Sequence, residues 1–134
     1  MTHTNLDAVR RPLDQANGLP NAHYIDAAVF DEERTAVLAS GWSGLAVGAD
    51  VPEVGDAVPL TFLGMPLLIV RDRAARVRVF QNICRHRGMI LVDAPRKIEG
   101  AIRCPYHSWC YSTDGRLVST PRVGGPGHNT HAGI

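Results

Sequence analysis

A chain of 134 residues is long enough for one domain with a modest core, and 45 % apolar against 20 % charged residues is ordinary for a globular fold. A net charge of +1 gives no electrostatic case for nucleic acid, and the most apolar run, residues 60–70, is interrupted by Gly64 and Pro66 and too short to span a bilayer. The first twelve residues lack the apolar stretch and cleavage site of a secretory leader. Three cysteines (Cys84, Cys104 and Cys110) do not make a disulfide framework, so a reducing cytoplasm with thiols used for metal is expected.

Residues 1–22 are polar, carry Pro12, Gly18 and Pro20, and read as an arm. Residues 31–40 read as a short helix, opened by Asp31, Glu32 and Glu33 at the positive end of its dipole and stopped by Gly41. From Trp42 onward the pattern changes to short strands at 45–47, 57–63, 66–71 and 76–81, separated by Pro52, Gly55, Gly64 and the Asp72-Arg73 corner. A later hairpin runs through 110–112 and 117–118 around Asp114-Gly115, a dipeptide suited to tight hairpin turns. Residues 124–134 are Gly-rich and read as a tail. The expected fold is all-β, with small antiparallel sheets behind a short N-terminal helix and a domain over residues 23–123.

Two mixed pairs carry the chemistry. Cys84-Arg85-His86 is followed, after seventeen intervening residues, by Cys104-Pro105-Tyr106-His107. Each pair falls in a loop that can turn both side chains toward one point. A structural zinc site with two Cys and two His competes for such donors, but common zinc modules pair like with like as C-x2-4-C and H-x3-5-H. Two thiolates on one iron and two imidazoles on the other is the ligand set of a His-ligated [2Fe-2S] centre. His3, His23, His128 and His131 have no thiol partner and read as surface residues. Cys110 reads as an inert strand residue pointing away from the metal.

Asn82-Ile83-Cys84-Arg85-His86-Arg87-Gly88 and Cys104-Pro105-Tyr106-His107-Ser108-Trp109 resemble the cluster loops of Rieske non-haem iron oxygenases, and more narrowly the N-terminal domain of the ring-hydroxylating alpha subunit. Gly41-Trp42, Val54-Gly55-Asp56, Leu68-Ile69-Val70-Arg71-Asp72 and Asp114-Gly115-Arg116-Leu117 extend the resemblance over about residues 24 to 121. It implies a Rieske-type fold with a [2Fe-2S] cluster in two hairpin loops. It also implies that Cys84 and Cys104 bind one iron through sulfur while His86 and His107 bind the other through nitrogen.

The resemblance sets further expectations. In the respiratory branch two extra Cys form a disulfide and a Ser donates to a cluster sulfide; the matching positions here are Met89, Tyr106 and Trp109. Losing a donor to sulfur destabilises the reduced state, so the potential is expected low in the Rieske span of about −150 to +300 mV. Tyr111 reads either as a hydroxyl donor to a ligand sulfur, as the resemblance implies from some Rieske proteins, or simply as an aromatic strand residue. Arg85 and Arg87 flank His86, either as solvated loop charge or as a positive collar facing an acidic electron donor. Reduction makes the ligand imidazoles more basic, so the potential is expected to fall as pH rises.

The expected function is one-electron relay from a reductase or ferredoxin to the mononuclear iron of an oxygenase, held in a neighbouring subunit of a homotrimer. The two His and one carboxylate of that second site have no match here: His128 and His131 are followed by no acidic residue. Gly124-Gly125-Pro126-Gly127 neither follows a strand nor opens a helix, so it is no dinucleotide loop. The chain alone is therefore expected to pass electrons without oxygenating a substrate, its tail resembling a linker into a catalytic domain. A free-standing Rieske ferredoxin is the alternative; residues 31–40 and the tail count against it. Residues 120–125 resemble relatives that act on quaternary ammonium compounds.

Overall fold

The computed structural model describes residues 6–134, so His3 and the start of the arm lie outside the described residues. The chain divides into two compact units, Met1–Gly44 and Leu45–Ile134.

The first unit is helical. α1 (Ala22–Ile25) is a single turn, and α2 (Ala27–Glu33) continues into a π-helical turn at Arg34–Leu38. The helix begins earlier than the acidic run suggests, because Asp26 caps it by accepting the Ala28 N–H at 2.8 Å. Asp31, Glu32 and Glu33 therefore sit past its first turn. Gly41 closes the segment with its N–H on the Val37 carbonyl, where a Cβ would meet that oxygen at 2.8 Å.

The second unit is all-β, as expected. β1 (Asp56–Phe62), β2 (Met65–Arg71), β3 (Val77–Gln81) and β4 (Arg96–Lys97) form an antiparallel sheet in the order β3-β2-β1-β4. β5 (Ala101–Arg103), β6 (Cys110–Ser112) and β7 (Leu117–Ser119) form a second sheet in that order. β1 and β2 are joined by a two-residue turn in which Leu63 (φ 51°) and Gly64 (φ 81°) are both left-handed, as a hairpin turn that follows the strand twist requires. Leu63 thus belongs to the turn and not to the strand. Residues 45–47 are not a strand: they are irregular and lead into a 3-10 turn at Gly48–Asp50. An apolar triplet with no partner strand has no ladder to join.

The central strand β2 is buried over Leu67–Val70 on both faces, which explains its unbroken apolar run. At the edge, β3 turns Val77 and Val79 outward and Arg78 inward. Arg78 serves the buried Asp72, which accepts from Arg78 Nε and from the Ala74 and Arg76 N–H groups, each at 2.9 Å. The core joins both sheets to both Cys/His loops: Leu68, Val70 and Ile102 pack in one cluster with Cys84, Cys104, Trp109 and Tyr111. Between β6 and β7 the Asp114-Gly115 turn forms as expected. Gly115 (φ 94°) lies so close to Phe80 that a Cβ would meet its ring at 2.6 Å.

Candidate metal centre

The two Cys/His pairs occupy equivalent hairpin loops. Loop 84–89 is closed by the Ile83–Ile90 bridge, and loop 104–109 by the Arg103–Cys110 pair of β5 and β6. Inside each, the cysteine N–H donates to the carbonyl five residues on: Cys84 to Met89 and Cys104 to Trp109, both at 2.8 Å. The N–H four residues on returns to the cysteine carbonyl, Gly88 at 2.9 Å and Ser108 at 3.1 Å. That residue is left-handed in both loops, Gly88 at φ 70° and Ser108 at φ 60°. The backbone is the same although the histidine stands two residues after one cysteine and three after the other.

The four donors are graded by depth. Cys84 and Cys104 are buried at 2 % and 1 % exposure, whereas His86 is half-buried and His107 exposed. The imidazole centroids lie 4.7 Å apart, edge to face. Trp109 of the second loop stacks on His86 of the first at 4.8 Å and 12°, and Tyr106 tilts over His107 at 3.8 Å. Partial desolvation lowers the His107 pKa, and the His86 and Arg87 charges add to that shift. Among the described residues no three His, Cys, Asp or Glu side chains converge as a site for one metal ion.

Tyr111 on β6 reaches the first loop. Its hydroxyl accepts the Arg85 N–H at 3.0 Å and lies 3.3 Å from Cys84 Sγ. With Arg85 using an oxygen lone pair, the phenol proton is left for the sulfur, which as a thiolate can only accept. Burial first, and the Cys84 contact second, push the phenol up to about 12, so it keeps that proton at neutral pH.

One brace has no sequence pattern of its own. The buried Asn82 side chain donates to the Val92 carbonyl at 2.6 Å and accepts the Val92 N–H at 3.0 Å, clamping the base of the first loop. Its only mark in the sequence is an asparagine two residues before Cys84. The tail supplies a second brace. Asn129 Oδ1 accepts the Thr120 N–H at 2.6 Å, and Arg122 N–H donates to the His128 carbonyl at 2.8 Å. Residues 120–130 are thereby folded back beside the second loop, where Pro121, Arg122 and Val123 line a groove with His86 and His107. Arg87 lines it too; Arg85 instead borders a cavity beside Cys84 and Tyr111. Met89 and Tyr106 are exposed, and Cys110 is buried with Sγ on the Ser108 carbonyl at 3.2 Å.

Two antiparallel sheets with mixed Cys/His hairpins define an iron–sulfur electron-transfer domain. Residues 41–126 match the Rieske [2Fe-2S] domain, and the chain belongs to that family. It is similar to the carnitine monooxygenase oxygenase subunit of Acinetobacter pittii, 33 % identical over 78 % of this chain and 28 % of that protein. It is equally similar to biphenyl dioxygenase subunit alpha of Metapseudomonas furukawaii, 34 % identical over 90 % of this chain and 27 % of that one. Among solved structures, a quaternary ammonium Rieske monooxygenase in its apo form superposes with TM-score 0.69 at 32 % identity, covering 77 % of this chain and 30 % of that one. Naphthalene 1,2-dioxygenase from Rhodococcus sp. gives 0.68 at 35 % identity, over 77 % and 23 %. The chain spans less than a third of these relatives' length, and the relatives named here are oxygenase components rather than free ferredoxins.

The family's cofactor is a [2Fe-2S] cluster, which takes up and releases one electron. The residues present fit it: two buried sulfur donors and two outward nitrogen donors on equivalent loops. Among the described residues no helix is long and apolar enough to cross a membrane.

Proposed function

We propose that this chain is the electron relay of a Rieske oxygenase component, with Cys84 and Cys104 on one iron and His86 and His107 on the other. The observation that carries this is the gradient from buried thiols to the exposed His107 ring, which leaves imidazole edges as the route between the site and a partner. Trp109 and Tyr106 hold those rings, and Tyr111 directs a proton at Cys84. A reductase or ferredoxin fed by NAD(P)H supplies the electron. The acceptor is the mononuclear iron of a catalytic domain in a neighbouring subunit of a homotrimer, in the cytoplasm. Residues 1–22 are an arm, 23–123 the relay, and 124–134 lead toward the catalytic domain.

The test of the ligand assignment is His107→Cys. Exchanging nitrogen for sulfur on the outer iron should drop the potential toward the about −400 mV of plant-type ferredoxins. A potential unmoved by the substitution would remove His107 from the ligand set.

A further inference from the structure

The two Cys/His loops are alike in backbone but rest on unequal supports. The second stands on a ladder of three residue pairs between β5 and β6: Arg103–Cys110, Ile102–Tyr111 and Ala101–Ser112. The first has one isolated pair, Ile83–Ile90, and the chain after Ile90 is irregular. The next rung, from the Leu91 N–H to the Asn82 carbonyl, is stretched to 3.4 Å. Asn82 makes good the difference with its side chain. Its amide donates to the Val92 carbonyl at 2.6 Å and its Oδ1 accepts the Val92 N–H at 3.0 Å, so one carboxamide imitates the paired bonds of a neighbouring strand. The Asn82 N–H donates to the Pro66 carbonyl of β2 at 2.9 Å, which fastens the base of the loop to the larger sheet. Asn82 and Val92 are buried, at 2 % and 0 % exposure, so water is no ready substitute for either bond.

We infer that Asn82 is a positioning residue for Cys84 and His86, setting where the first loop presents them through its grip on Val92. The inference rests on the electron-relay reading above. An apolar side chain of similar size would fill the site but leave the Val92 N–H and carbonyl without these partners, a cost the loop would meet by shifting. Cys84 follows Asn82 by two residues and His86 by four, so a shift of that limb moves both. Cys104 and His107 hang instead from β5 and β6, whose backbone ladder needs no side chain to close it. The role of Asn82 is therefore confined to one loop, and with it to one sulfur and one imidazole.

The test compares the cluster-loaded parent with Asn82→Ala, which removes both bonds, and Asn82→Thr, which keeps the size of the side chain and one hydroxyl. Pulsed EPR of the dithionite-reduced chains separates the two histidines, because the nitrogen coupling that survives in His107→Cys belongs to His86. In Asn82→Ala that coupling should shift while the His107 coupling holds. Iron should also pass to a chelator about tenfold faster, the equivalent of one lost hydrogen bond. Asn82→Thr should show the same changes to a smaller extent, and covers the case in which the alanine variant does not hold the cluster. Val51→Ala cuts a fully buried side chain outside both loops, controls for lost stability, and should leave both couplings in place. Couplings unmoved in both Asn82 variants, moved together, or moved as far by Val51→Ala, overturn the role of Asn82 alone. A parent chain with no nitrogen coupling overturns the relay, and this inference with it.

Discussion

Tyr111 connects the second sheet to the first Cys/His loop through one hydroxyl, which takes the Arg85 N–H and faces Cys84 Sγ. A donor to sulfur favours the electron-rich reduced state, so removing it lowers the potential. Tyr111→Phe keeps the ring in the core. It is expected to lower the midpoint by about 60 mV, the equivalent of a tenfold change for one electron. Redox titration of the two proteins checks this, and a potential that stays level or rises would mean the hydroxyl serves the backbone alone. Trp109 and Asn82 act at the same scale but mechanically, one by stacking on His86 and the other by clamping Val92.

At the scale of elements the two hairpin loops share a backbone but not a sequence, and their fourth residues after cysteine make the comparison testable. Gly88 has open space where a Cβ would stand, so Gly88→Ala meets only the backbone penalty of a left-handed residue, about 1–2 kcal/mol. Ser108 already carries that penalty, so Ser108→Gly should be neutral or stabilising by up to about 1 kcal/mol. Denaturant midpoints of both variants should move in opposite directions or leave Ser108→Gly unmoved; a large loss at Ser108 would show that its side chain is needed. The placing of both Cys/His pairs in loops, the β1–β2 hairpin and the Asp114-Gly115 turn are legible in the sequence because each has a local cause. β4 and β5, at two and three residues, are too short to leave a periodic pattern. The helix starts ahead of the acidic run because a side-chain cap from Asp26, and not first-turn acidity, sets its beginning. Nothing local separates residues 45–47 from a strand; only the absence of a neighbouring ladder does. The Asn129 brace joins residues nine apart through a side chain, which no periodicity predicts.

For the whole molecule, Asp72 links acid stability to the sheet that carries the site. Hydrogen bonds from Arg78 first, and then from the Arg76 backbone, hold its carboxyl at about 2 against an ordinary 3.8. A depressed folded-state pKa means the unfolded chain binds the proton more readily. The contribution is complete above about pH 4 and is lost as pH falls through about 2. The stability gap between the parent and Asp72→Asn should therefore narrow over that interval when denaturant unfolding is followed at successive pH values. A gap constant down to pH 2 would assign the effect of Asp72 to shape rather than charge. Electron relay is a property of the whole assembly of two loops, and pulsed EPR of the dithionite-reduced chain tests it most directly. Two imidazoles on the iron that carries the electron predict two distinct nitrogen couplings, one of them lost in His107→Cys. A paramagnetic signal without nitrogen coupling, or a zinc-loaded chain with no signal at all, would contradict it.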